Sequence, residues 1–137
     1  MIKEKNVIRM KIPYPSIDSG LAVSSHMYIC RTVKDSYYEY VKCQTLKPYM
    51  LYGKTMQHFH DEDADISRNP FLHKTRIDCD KIFSSKKVEY DDEMKTQRRP
   101  DVCDDVCVKI EKELITDGYA NYEMDEEKLK KLNPLVH

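Results

Sequence analysis

The chain contains no tryptophan, only three glycines and six prolines. Nor does it hold any apolar run approaching the roughly 18 residues that a membrane-spanning helix needs. So little glycine and proline excludes collagen-like and low-complexity classes, and 40% hydrophobic against 34% charged residues excludes a disordered chain. Net charge is missing as well. The 23 basic and 24 acidic residues leave −1, which announces no strongly charged partner for the chain as a whole. Five cysteines (Cys30, Cys43, Cys79, Cys103 and Cys107) are odd in number and lack CxxC spacing. Met1–Lys11 has no apolar core of the kind a secretory signal carries. Reduced, mostly buried thiols in a cytoplasmic protein fit this pattern. A length of 137 residues suits one domain, 1–137, whose core needs neither disulfide nor metal.

What is present is unevenly spread. Residues 1–60 carry nine Lys and Arg against four acids, a net +5, whereas residues 61–137 sum to −6. The first part can face a polyanion; the second cannot do so generally.

Asn6–Ile12 alternates, with Ile8, Met10 and Ile12 on one face and Arg9 and Lys11 on the other, the pattern of a half-buried strand. Pro13-Tyr14-Pro15 stops it, and Ser16–Gly20 is loop chemistry. His26–Val33 and Tyr37–Thr45 are rich in Tyr, Ile, Val and Thr, and the polar turn Lys34-Asp35-Ser36 joins them as a hairpin. Within Tyr37–Thr45, Tyr38, Tyr40 and Lys42 share one face, while Tyr37, Glu39, Val41 and Cys43 share the other. Lys47–Asn69 has little periodicity and reads as a long polar loop with at most one helical turn. Lys74–Phe83 resumes alternation as a strand, and Val88-Glu89-Tyr90 is a shorter one. From Asp101 the period changes to four: Val102, Val106, Ile110 and Leu114 make an apolar helical stripe, with Asp101 as its cap and Gly118 as its end. A second helix starts at Asp125 and stops before Pro134. The fold class is mainly β with a C-terminal helix (α+β). A β unit spans about 5–95, a helix about 101–117 and a helical tail about 124–133.

Several groups invite a chemical reading. His58 and His60, followed by Asp61, Glu62 and Asp63, are metal-ligand types, but their spacing fits no familiar site and a solvated loop is simpler. Cys103 and Cys107 lie beside the apolar stripe and read as packing. No metal or other cofactor is expected. Tyr38 and Tyr40, near Arg31 and Lys42, could stack nucleobases over a basic surface; the plain alternative is that Tyr favours strands. His26 begins one hairpin strand, and Thr45-Leu46-Lys47 ends the other. Those ends are neighbours in an antiparallel pair. An imidazole can move a proton, a hydroxyl can hydrogen-bond a phosphate and an ammonium can neutralise it.

The order of these pieces resembles the PemK/MazF family of toxin endoribonucleases. The carrying segments are Ile12-Pro13-Tyr14-Pro15 with Asp18, then His26–Cys30, Val41–Thr45, Arg76-Ile77-Asp78 with Asp80-Lys81, and the helix near Asp101–Ile115. The likeness is one of strand pattern and short motifs over roughly residues 7–115, not of close identity. It implies a small SH3-like β-barrel, usually a homodimer, that cuts single-stranded RNA without a metal and is held by a cognate antitoxin protein. The family's catalytic Thr falls on Thr45. Its catalytic Arg falls on Ser25 or His26, so a His would take the acid or base role but would clamp phosphate less well. The expected catalytic residues are therefore His26, Thr45 and Ser25, with Lys47, Lys42, Gln44, Tyr38, Tyr40 and Asp18 contacting RNA. The alternative is a non-catalytic RNA- or protein-binding module on the same fold, a phage or mobile-element regulator, which the missing Arg favours. A third option is a metal-dependent nuclease using His58, His60 and the acidic run.

Overall fold

The structure is a computed structural model that describes residues 2–34, 37–51, 56–86 and 88–137. In chain order the elements are β1 (Val7–Met10), the short helix α1 (Gly20–Val23), β2 (His26–Val33), β3 (Tyr37–Thr45) and β4 (Phe59–Glu62). There follow β5 (Thr75–Asp78), β6 (Lys81–Lys86), α2 (Asp104–Asp117), β7 (Ala120–Glu123) and α3 (Glu126–Leu132). Both hairpin strands have the bounds expected from the sequence. Their turn at Asp35 and Ser36 lies outside the described residues.

Among the described residues seven strands form one sheet, ordered β1-β2-β3-β5-β4, with β6 also on β3 and β7 parallel to β6. The remaining pairings are antiparallel. The long β3 is shared: Cys43–Thr45 pair with β5, and Tyr37–Tyr40 pair with β6. Cys43 faces Ile77 and Tyr40 faces Phe83, so three steps along β3 match six along its partner. The excess is absorbed at Cys79 and Asp80, where the Lys74–Phe83 run breaks into two strands instead of continuing as one. The polar 47–69 segment also differs from expectation. It opens with a 3-10 turn at Pro48–Leu51 and carries β4, whose four residues are too few and too polar to show alternation. Val88-Glu89-Tyr90 is not a strand; Tyr90 makes an isolated bridge to Val136. The class is α+β, mostly antiparallel β. The sheet is open, since among the described residues β1 and β4 end its path without pairing with each other.

Both faces of the sheet are covered. One packs Ile8, Met10, Tyr28, Tyr40 and Phe83 against Met94, Met124, Leu129 and Val136. The other packs Val7, Ile29, Val41, Cys43, Ile77 and Ile82 against Val106, Ile110 and Leu114 of α2. Each of those three side chains gains about 1.5–3 kcal/mol on burial. Two-sided burial corrects one expectation directly. Tyr38 and Tyr40 do share a face, but that face is core and not a stacking platform (4% and 0% exposed).

The helix ends are partly as expected. Gly118 closes α2 at φ +80, a left-handed geometry that favours glycine. Asp101 does not cap the helix. It pairs with Arg99 at 2.8 Å and bridges Asn6, while Cys103 occupies the cap without a side-chain bond. Asp104 and Asp105 in the first turn complement the helix dipole instead. Arg31 fastens β2 to α2 through two bonds to Glu111 (2.6 and 3.0 Å), and it also bonds the buried Glu39 of β3 (3.2 Å).

The C-terminal tail is integral to the core. Asp125 caps α3 by accepting from Lys128 N (2.9 Å), and Leu129 is fully buried. The buried Asn133 then clasps Lys11: its Oδ1 accepts from Lys11 N (2.8 Å) and its Nδ2 donates to Lys11 O (2.6 Å). No described helix is long and apolar enough to cross a membrane.

Candidate functional site

Strand register decides which side chains meet at the end of the sheet where β2 starts and β3 stops. Arg9 pairs with Met27, Met27 with Cys43 and Cys43 with Ile77, a row crossing β1, β2, β3 and β5 on the face that α2 covers further along. Thr45 and its partner Thr75 lie on that same face, two residues beyond. His26 pairs with Met10 and belongs to the opposite face, as does Gln44. Being the first residue of β2 and among the last of β3, these two sit at an edge that both faces share.

A cleft of about 420 Å³ opens here, lined by Ser25, His26, Gln44, Thr45 and Lys47, all expected at the site, together with Arg9, Tyr49, Leu72, His73 and Thr75. His26 Nδ1 lies 3.0 Å from the Ser24 carbonyl. A carbonyl only accepts, so Nδ1 carries the proton and Nε2 is left as the basic nitrogen. The Thr45 hydroxyl has no hydrogen-bond partner among the described residues. Among the described residues the Gln44 side chain makes one weak contact, 4.0 Å to the Met50 sulfur. Arg9 and Lys47 are exposed and, among the described residues, have no acidic partner. Arg31, Arg68, Arg76 and Arg99 are each paired with a carboxylate. No carboxylate is among the described residues lining the cleft, so the charge they present is positive and suits an anion.

A second cleft, about 440 Å³, adjoins the first at His26 and Gln44 and lies on the other face. Tyr14, Ser19, Leu21 and Ser24 of the β1–β2 connection frame it over Lys42 and Lys81. Burial pushes the Lys42 amine below its ordinary value, partly offset by the nearby Asp78 carboxylate. Asp78 is fully buried; its Oδ1 accepts from Asp80 N (2.9 Å) and Lys81 Nζ stands 3.5 Å from Oδ2.

Of the residues expected from sequence, Ser25, His26, Gln44, Thr45 and Lys47 come together, and Lys42 lies in the adjoining cleft. Asp18 lines neither cleft; it is an exposed loop residue whose N–H bonds Ser16 Oγ (3.3 Å). Tyr38 and Tyr40 lie in the core. The acidic run proposed for a metal is spent on structure: Asp61 pairs with Arg76, Glu62 with Arg68 and His60, and His58 with Asp117 on α2. Among the described residues no cluster of three metal-capable side chains forms.

Sequence reasoning missed Arg9, Tyr49 and His73. Arg9 was legible only as the polar side of a strand, and its place on the face and in the cleft of Thr45 depends on β1 pairing with β2. His73 and Tyr49 reach the cleft from irregular segments that periodicity does not position. Compared with known proteins, the chain matches no family model, no curated protein and no solved structure.

Proposed function

We propose that the strand-end cleft holds single-stranded RNA and cuts it without a metal, by attack of a ribose 2′-hydroxyl on the adjacent phosphodiester. The observation that carries this reading is the convergence of His26, Thr45 and Lys47 on one cleft that no carboxylate of the described residues lines. His26 Nε2 takes the hydroxyl proton, Thr45 Oγ1 donates a hydrogen bond to a phosphate oxygen, and Lys47 neutralises charge on the phosphate. Tyr49, 64% exposed at the rim, offers the stacking ring that Tyr38 and Tyr40 cannot. Lys42 and Lys81 extend the cationic track into the second cleft.

The likeness to the PemK/MazF toxins belongs to this reading. It takes the sheet around the long β3, shared between β5 and β6, as an opened form of the small SH3-like barrel. It also takes the protein to act in the cytoplasm as a homodimer, with an acidic, partly disordered antitoxin folding over the basic clefts.

A second reading, an RNA-binding module that does not cut, is favoured by the register, which points His26 and Thr45 to opposite faces. One experiment separates the two. Purified protein is incubated with a long single-stranded RNA with and without EDTA, and fragment ends are mapped. Discrete cuts that persist in EDTA and end in 2′,3′-cyclic phosphates support cleavage. Intact RNA that nonetheless binds the folded protein supports the module.

A further inference from the structure

In-line cleavage of RNA needs two proton transfers, and His26 can serve only one of them at a time. The attacking 2′-hydroxyl must lose a proton, and the departing 5′-oxygen must gain one. From the residues that line this cleft we infer that His73 is the second proton-transfer group and Arg9 the ligand of the scissile phosphate. This inference rests on the ribonuclease reading.

Register supplies the argument. Arg9, Thr45 and Thr75 share one face of the sheet. Beyond the Thr45–Thr75 pair the ladder continues, with Leu46 N–H donating to the Lys74 carbonyl (2.9 Å), and so carries the chains toward Lys47 and His73. Thr75 Oγ1 donates to the carbonyl of His73 (2.9 Å), which fixes that backbone at the rim of the cleft. His73 is exposed and its ring has no partner among the described residues. Thr45 thus shares its sheet face with the Arg9 guanidinium, one strand removed, and its cleft with the His73 imidazole on the approach to β5 and with His26 at the edge. That division meets the difficulty that His26 and Thr45 point apart.

The step balances. His26 Nε2 accepts the 2′-hydroxyl proton as the 2′-oxygen bonds to phosphorus. The P–O5′ bond breaks, its electron pair stays on the 5′-oxygen, and His73 gives that oxygen a proton. The products are a 2′,3′-cyclic phosphate and a 5′-hydroxyl, and neither water nor metal is consumed. The fork of Arg9 can engage both non-bridging oxygens, which an ammonium cannot. Among the described residues the titratable groups lining the cleft with His73 are His26, Lys47, Tyr49, Arg9 and the buried Cys43, whose thiol burial pushes well up. The charged ones among the described residues are cationic, so an entering phosphate is attracted.

The test uses the RNA whose cut site the wild type defines, made once with the natural linkage and once with a 5′-bridging sulfur at that position. A thiolate departs without being protonated. His73→Ala should cut the natural linkage about 10²–10⁴-fold more slowly, yet cut the sulfur-bridged one within about threefold of wild type. Arg9→Ala should slow both linkages alike, and both variants should melt at the wild-type temperature because these side chains are exposed. A His73→Ala protein that cuts the natural linkage normally, or is equally slow on both, overturns the acid role while leaving the ribonuclease reading intact. Wild-type protein that leaves RNA whole overturns that reading itself, and this inference with it.

Discussion

Arg9 and Thr45 point to the same face of the sheet with β2 between them, because Arg9 pairs with Met27 and Met27 with Cys43, two residues before Thr45. A shift of one residue in either ladder would turn Arg9 away from Thr45. The candidate site is therefore a property of register as much as of residue type.

If Tyr49 is the stacking ring at the rim, Tyr49→Ala should weaken binding of a non-cleavable single-stranded RNA by about 1–3 kcal/mol. Tyr38→Phe keeps the buried ring and should leave affinity unchanged. Fluorescence anisotropy of a labelled oligonucleotide measures both. Loss with Tyr38→Phe and none with Tyr49→Ala would reverse the assignment.

Lys42 carries a cost for the fold. Burial pushes its amine below its ordinary value of 10.5, so the charged form is disfavoured in the folded protein. Because the folded value is lowered, the penalty is complete at neutral pH and lifts as pH rises toward 10.5. Lys42→Met should raise stability at neutral pH by about 1 kcal/mol, roughly 3 °C in melting temperature, while weakening RNA binding. A thermal melt beside a binding curve tests the trade. A variant that binds normally would remove Lys42 from the RNA path.

Acid should loosen the β4 end of the sheet. Burial pushes the Glu62 carboxyl up, but hydrogen bonds from Arg68, His60 and Asn69 outweigh it and hold the group below its ordinary value of 4.5. A carboxylate lowered on folding stabilises the native state above about pH 4.5, and that contribution is lost as pH falls through the folded value. Urea denaturation across this range should show a shallower acid limb for Glu62→Gln than for wild type. Parallel limbs would mean that other carboxylates govern acid sensitivity.

Asn133 joins the two ends of the chain through its paired bonds with Lys11. Asn133→Ala leaves the Lys11 amide and carbonyl without that partner in a part-buried place and should cost about 1–3 kcal/mol in urea unfolding. A change below about 0.5 kcal/mol would show that the clasp does not hold the tail.

Much of the fold was legible because its strongest signals are local. β2 and β3 follow from tyrosine, isoleucine, valine and threonine around a polar turn, and α2 follows from Val106, Ile110 and Leu114 at four-residue spacing. Where partners decide the structure, sequence fell short. β4 and β7 are four residues each and owe their form to β5 and β6. Alternation sorted Tyr38 and Tyr40 onto one face, but no local pattern said that Met94, Met124 and Leu129 would cover it. His26, Thr45 and Lys47 were found through hairpin logic, since strand ends in a hairpin must meet. Arg9 and His73 required pairings with β1 and β5, at sequence distances no motif bridges.

The most direct test of the central claim is a two-dimensional amide NMR titration with a 2′-O-methyl single-stranded RNA, which keeps the phosphates and bases but lacks the attacking hydroxyl. The account predicts that resonances of Arg9, His26, Thr45, Lys47, Tyr49 and His73 move together and saturate, while those of Val108 and Ile115 on the exposed side of α2 stay in place. Shifts confined to α2, or none at a concentration where RNA binds, would contradict it.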